Sequence, residues 1–307
     1  MIIDPVTLIA ALIGASTPIL LAAIGELVVE KSGVLNLGVE GMMIIGAVFG
    51  FMIAVNTGSP TLGFIMAAVA GAGISLIFGF LTQVLLSNQV ATGLALTLFG
   101  LGLAALLGEP YAGINPPLTG NLLPDTLADI PVIGPIFLGH DAVVYLSVLL
   151  VAAVWYMLTR TRMGLILRAV GESHDAAHAL GYKVIRIRIM AIAFGGACAG
   201  LGGAYLSLVR VPSWTEGMTA GAGWIALALV VFASWKPWRA LIGAYLFGGI
   251  AALQLRLQAA EVGVPVALLD ASPYLITILV LVIISSDRTR AALNAPAALG
   301  KVFHASG

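Results

Sequence analysis

The chain has 307 residues, of which 60% are hydrophobic and 9% charged, with a formal net charge of zero and a mean hydropathy of +1.08. No single core of this length hides so much apolar surface, so a water-soluble domain is excluded. One cysteine, Cys198, excludes a disulfide framework, and 37 glycines fit a polytopic membrane protein whose helices approach closely at small residues.

The opening MIIDPVTLIA has neither a basic leader nor a small-residue cleavage site, so the first apolar run is expected to be a retained span. Crossing ~30 Å of hydrocarbon takes about 20 helical residues. Runs of that kind lie at 5–25, 38–55, 61–86, 90–107, 141–158, 189–209, 219–235, 240–257 and 272–286. The expected fold is an all-α transmembrane helical bundle of about nine spans, eight to ten, forming one transmembrane domain over 1–307. The second and fourth runs carry glycines and are expected to be split or re-entrant.

Polar residues inside the runs are candidate pathway positions, because a polar group in lipid is costly unless it faces a cavity or a partner. Glu26, Glu30 and Lys31 cluster with Asn36 and Glu40 at the early segment. Glu30 and Lys31 read equally as interfacial charges. Glu40, between Gly38 and Gly41, is deeper, and with Asn36 it is a pathway candidate. Asn88 and Thr92 open the fourth run; Asn88, near an edge, reads equally as a helix cap. Trp224 and Gln254 complete the candidates, while Trp235 and Trp238 read as an interfacial belt. Gly196, Gly200 and Gly203 form a stripe suited to helix packing.

Charge supplies the expected orientation. With the amino terminus outside and the carboxyl terminus inside, segments 26–37, 159–188, 236–239 and 287–307 are cytoplasmic and hold twelve of the fourteen Lys and Arg residues. The connection 108–140 falls outside; it carries Glu109, Asp125 and Asp129, no Lys or Arg, and many prolines and glycines.

Several chemistries are absent. No GxxxxGK[ST] loop exists to cradle ATP. His174 and His178 are the only i, i+4 histidine pair, and they read as two rings on the wet face of a surface helix rather than as a metal site. No nucleophile stands with a base. The chain is expected to be non-catalytic, with no metal, cofactor or nucleic acid.

The loop 159–188 is the densest in charge, and its centre reads as a short helix over 174–180. Ser173 is an N-cap, Asp175 lies in the first turn, and Gly181 stands where a left-handed C-terminal cap is wanted. So short a helix holds only by packing on something. Ala176, Ala179 and Leu180 share a face at i, i+3, i+4 spacing, with Asp175 and His178 directed elsewhere. The bland alternative is a solvated helix folded on its own protein.

The stretch RAVGESHDAAHALGYKVIRIRIMAIAFGGACAGLGGAYLSL resembles the cytoplasmic coupling loop and following span of ABC importer permeases of the ribose and branched-chain amino acid group. GELVVEKSGVLNLGVEGMMIIGAVFGF (25–51), NQVATGLALTLFGLGLAALLG (88–108) and MTAGAGWIALALVVFASWKPWRALIGAYLFG (218–248) resemble the simple-sugar and nucleoside branch. The order and spacing of these segments cover most of the chain. The resemblance implies an inner-membrane permease subunit in membrane lipid that pairs with a second homologous subunit, usually a different one. It further implies a cytoplasmic ABC ATPase and an extracytoplasmic solute-binding protein as partners. The ATPase-coupling residues then map to Ser173, His174, Asp175, Ala176, Ala177, Ala179, Leu180 and Gly181. Relatives often carry Asn-Pro where this chain has Ser173 and His174, which loosens helix onset here. The implied cargo is a nucleoside, with simple sugars the near alternative. An ion-coupled secondary transporter, with Glu40 as a proton site, is the reading from another class.

Overall fold

The computed structural model describes residues 4–259 and 294–304, with a few positions between 265 and 279. Among the described residues every regular element is helical: α1 (Pro5–Lys31), α2 (Val39–Thr57), α3 (Pro60–Gly79), α4 (Gln89–Gly108), α5 (Asp125–Ala128), α6 (Ala142–Arg160), α7 (Arg162–Glu172), α8 (His174–Ala179), α9 (Val184–Tyr205), α10 (Ala222–Phe232) and α11 (Pro237–Ala259). Single π-helical turns extend α3 to Val84 and α9 to Arg210. Local chemistry sets many of the starts. Asp4, Ser59, Asn88, Asp141, Thr161 and Ser173 each accept a backbone N–H of the first turn of the helix they precede, and Pro5 and Pro60 follow two of them as pre-organised first residues.

Seven of these helices are long and apolar enough to cross a membrane: α1, α2, α3, α4, α6, α9 and α11. Two of the nine expected runs are not among these seven. The seventh run holds only the 11 residues of α10, about 16 Å at 1.5 Å per residue and too short to span. The ninth, 272–286, falls largely outside the described residues. The glycine-broken reading of the second and fourth runs is also corrected, since α2 and α4 are continuous over 19 and 20 residues. Their glycines serve packing. The interruption lies instead ahead of α10, where Gly217, Ala220 and Gly221 all take left-handed backbone.

The core is built on α1 and α2. Residues 15–30 of α1 are buried without interruption, as befits a helix apolar all round and surrounded by others. α9 packs on both and on α3 through its glycines: a Cβ at Gly200 would meet the Ala67 carbonyl of α3, one at Gly202 the Pro18 carbonyl of α1, and one at Gly203 the Met43 carbonyl of α2. Close approach of small residues, with its gain in van der Waals contact, is the cohesive term available in lipid.

Candidate functional site

Segments from three of the four regions assigned to one side of the membrane meet at one end of the bundle, together with Trp235, which adjoins the fourth. Lys31 Nζ donates to the Asn294 carbonyl at 2.9 Å, Gly300 N to the Gly33 carbonyl at 3.1 Å and Ala298 N to the Gly171 carbonyl at 2.9 Å. Trp235 Nε1 donates to Glu30 Oε2 at 2.6 Å. Of the two readings of Glu30, pathway position or interfacial charge, its burial does not fit the second, and Trp235 belongs to the core rather than to a lipid-facing belt. Trp238 remains exposed beside Trp155, ring centroids 6.3 Å apart.

The basic loop has more order than its sequence suggested. It contains α7, which was not expected; Thr161 caps it through Gly164 N at 3.2 Å, and Gly164, Leu167, Val170 and Gly171 form its buried stripe. That three-to-four spacing behind a threonine was the available signal. α8 follows, with Ser173 Oγ accepting Ala176 N at 3.3 Å. It closes in a Schellman turn: Tyr182 N donates to the Ala177 carbonyl at 3.1 Å, Gly181 N to the His178 carbonyl at 2.8 Å, and Gly181 has φ +87°. His174 and Ala177 face inward and are buried, whereas Asp175, Ala176, Ala179 and Leu180 are exposed, Leu180 by 76%.

The reading of two wet histidines is corrected for His174, which is buried, whereas His178 is exposed as that reading expected. Both rings lie edge-on to Phe303, at 5.4 Å for His174 and 5.3 Å for His178, and Phe303 is buried. His174 Nδ1 also meets Arg188 Nη2 at 3.4 Å. Burial first, then the Arg188 cation, pulls the His174 imidazole below its usual range, against the opposing pull of Asp175. Sequence reading missed both Arg188, one of many basic residues in that stretch, and Phe303.

A second constellation surrounds Glu40, in the first turn of α2. Its carboxylate is buried and accepts three hydrogen bonds from the start of α10: Thr219 Oγ1 at 2.5 Å, Gly221 N at 2.9 Å and Gly223 N at 2.7 Å. Gly221 has no side chain with which to cap α10, so a carboxylate from another helix fills that role. The same carboxylate lies in the first turn of its own helix and so faces two helix N-termini at once.

The remaining candidates are not brought together. Asn36 is buried; its Nδ2 donates to Glu26 Oε2 at 3.1 Å and its Oδ1 accepts Gly38 N at 2.9 Å, which fixes the turn between α1 and α2. Gln89, beside Asn88, holds the same turn by accepting Leu35 N at 2.8 Å. Asn88 caps α4 through Ala91 N at 2.9 Å, and the Thr92 hydroxyl lies 2.9 Å from that of Ser87. Trp224 is exposed on α10 and Gln254 is half-buried on α11. Among the described residues no group of three or more His, Cys, Asp or Glu side chains is placed to hold a metal.

The family model for the permease component of branched-chain amino acid transport systems matches residues 8–284. The putative glucose ABC transporter permease protein TsgC13 of Haloferax volcanii is 44% identical over 255 residues, covering 82% of this chain and 78% of that one. The guanosine ABC transporter permease protein NupQ of Bacillus subtilis is 34% identical over 297 residues, 91% of each chain. The nucleoside ABC transporter permease protein NupC of Lactococcus lactis is 32% identical over 294 residues, 89% of this chain and 90% of that one. No solved structure matches.

Proposed function

Since the chain belongs to the family of branched-chain amino acid transport system permease components and is a multi-pass permease subunit of an ABC importer, we propose that it forms half of a translocation pathway for nucleosides. Similarity to NupQ and NupC over about nine-tenths of all three chains carries the choice of solute. The second reading, a simple-sugar importer, is favoured by the higher identity to TsgC13. In this proposal the other half is a second, homologous but different permease, an extracytoplasmic binding protein delivers solute, and α8 docks into the cytoplasmic ATPase. The exposed Ala176, Ala179 and Leu180 support that docking: they are small or apolar, project from the end where the basic segments gather, and leave a short helix with one face unpacked. The amino terminus is outside and the carboxyl terminus cytoplasmic on this reading.

The solute assignment is tested by uptake into cells or proteoliposomes that hold the whole importer. Labelled guanosine should accumulate and be displaced by unlabelled nucleosides, while leucine and valine leave uptake unchanged. Accumulation of glucose or ribose alone would transfer the assignment to sugars. Uptake by the purified permease alone, without an ATPase, would replace the importer with an ion-coupled carrier.

A further inference from the structure

Arg188, one turn into α9, is completely buried, and among the described residues no carboxylate pairs with it. A guanidinium in that position demands acceptors. Four separate elements supply them. Nε donates to the Ser32 carbonyl in the turn between α1 and α2 at 3.2 Å, and Nη1 to Gln83 Oε1 in the π-helical turn after α3 at 3.2 Å. Nη1 also reaches the Lys301 carbonyl at 3.2 Å, and Nη2 meets His174 Nδ1 of α8 at 3.4 Å. Residues 294–304 cross this end of the bundle as a strap, held at Asn294, Ala298, Gly300 and Lys301, and they place Phe303 against both rings of α8.

We propose that Arg188, with Phe303 on the strap, is the positioning pair that joins α8 rigidly to α1, α3 and α9, so that a displacement of α8 is passed to the membrane helices. This rests on the docking of α8 with the ATPase proposed above. The physical case is that α8 has six residues and buries only His174 and Ala177, too little for it to act as a lever unaided. Through His174 it is attached to a side chain that simultaneously holds two membrane-helix ends and the strap. A planar guanidinium spreads five N–H donors in a fixed fork over separate acceptors, whereas an ammonium gathers its three donors on one nitrogen at the end of a flexible stem. Arg188 is therefore a coupling residue without touching either ATP or solute.

The test uses the complete importer in proteoliposomes, supplied with labelled guanosine and labelled glucose and scored on whichever the unaltered importer accumulates. Substrate moved per ATP hydrolysed and ATPase co-purification are both read. Arg188→Gln, Arg188→Lys and Phe303→Ala should keep the ATPase bound and hydrolysing while solute moved per ATP falls about tenfold, the size of a typical coupling between sites. Leu180→Asp should instead lose the ATPase. If Leu180→Asp loses the ATPase while the three other variants keep the normal ratio, the positioning role is refuted and the docking reading stands. If Leu180→Asp keeps both ATPase and uptake, the docking reading fails and takes this inference with it. A parallel fall of uptake and hydrolysis, in proportion to membrane abundance, would reduce Arg188 to a structural residue. Should Arg188→Gln not reach the membrane, Phe303→Ala decides, since Phe303 lies outside the membrane helices.

Discussion

At the scale of single residues, Glu40 shows how a polar group inside a membrane helix can be fully used by structure. From sequence it stood out by depth alone, and a pathway or proton-binding role was the natural expectation. Its three donors, Thr219, Gly221 and Gly223, lie about 180 residues away in the chain, and no local period or cap motif records such a pairing. Glu40→Ala would strand all three donors in a dry interior at about 1–3 kcal/mol each. Glu40→Gln costs less but still destabilises, because its amide oxygen can keep the Thr219 and Gly221 bonds while its NH2 group is turned toward the Gly223 N–H. Both variants should therefore yield less folded protein and a lower melting temperature in detergent, and Thr219→Val, which removes one bond, should be milder. The competing proton-site reading makes the opposite forecast, since glutamine mimics a protonated carboxyl. A Glu40→Gln protein of unaltered stability that no longer transports would favour the proton site over the cap.

At the scale of elements, glycine is the residue whose meaning the sequence left ambiguous. A run such as GVEGMMIIGAVFG reads equally as a break or as a packing face, because both need a missing Cβ. The structure uses α2 in the second way: a Cβ at Gly46 would overlap the backbone of Gly200 on α9, and Gly203 leaves the matching space for the Met43 carbonyl. The stripe at 196, 200 and 203 was readable in advance because it repeats at helical spacing. The true interruption, before α10, was not, since its left-handed residues include Ala220, which carries no turn signal. Gly46→Ala and Gly203→Ala should therefore force α2 from α9 and sharply reduce the monodisperse fraction after solubilisation and heating. Gly73→Ala, on an exposed face of α3 with nothing within 4 Å, should be neutral or gain up to about 1 kcal/mol. Equal tolerance at all three positions would mean that the α2–α9 contact is not close-packed.

At the scale of the whole molecule, composition and charge carried more information than any motif, because lipid leaves a chain few options. A backbone that must satisfy itself folds into helices, and basic residues collect on one side. The end where Lys31, Arg188, Trp235 and Lys301 converge brings together parts of three of the four segments grouped by charge alone, and the residue that adjoins the fourth. What charge does not record is which contacts knit that end together, so Arg188 and the 294–304 strap emerged only in three dimensions. Which side faces the cytoplasm is decided by labelling. Leu118, 91% exposed in the proline-rich connection, and Ala179, exposed on α8, lie on opposite sides of the membrane in the proposed topology. Cys198 is buried and should stay silent, and replacing it by Ala gives a clean background. In intact cells an impermeant maleimide should then react with Leu118→Cys and spare Ala179→Cys until the membrane is opened. The reverse pattern would turn the permease over and place α8 where no cytoplasmic ATPase can reach it, and labelling of both sites in sealed cells would mean that they share one side.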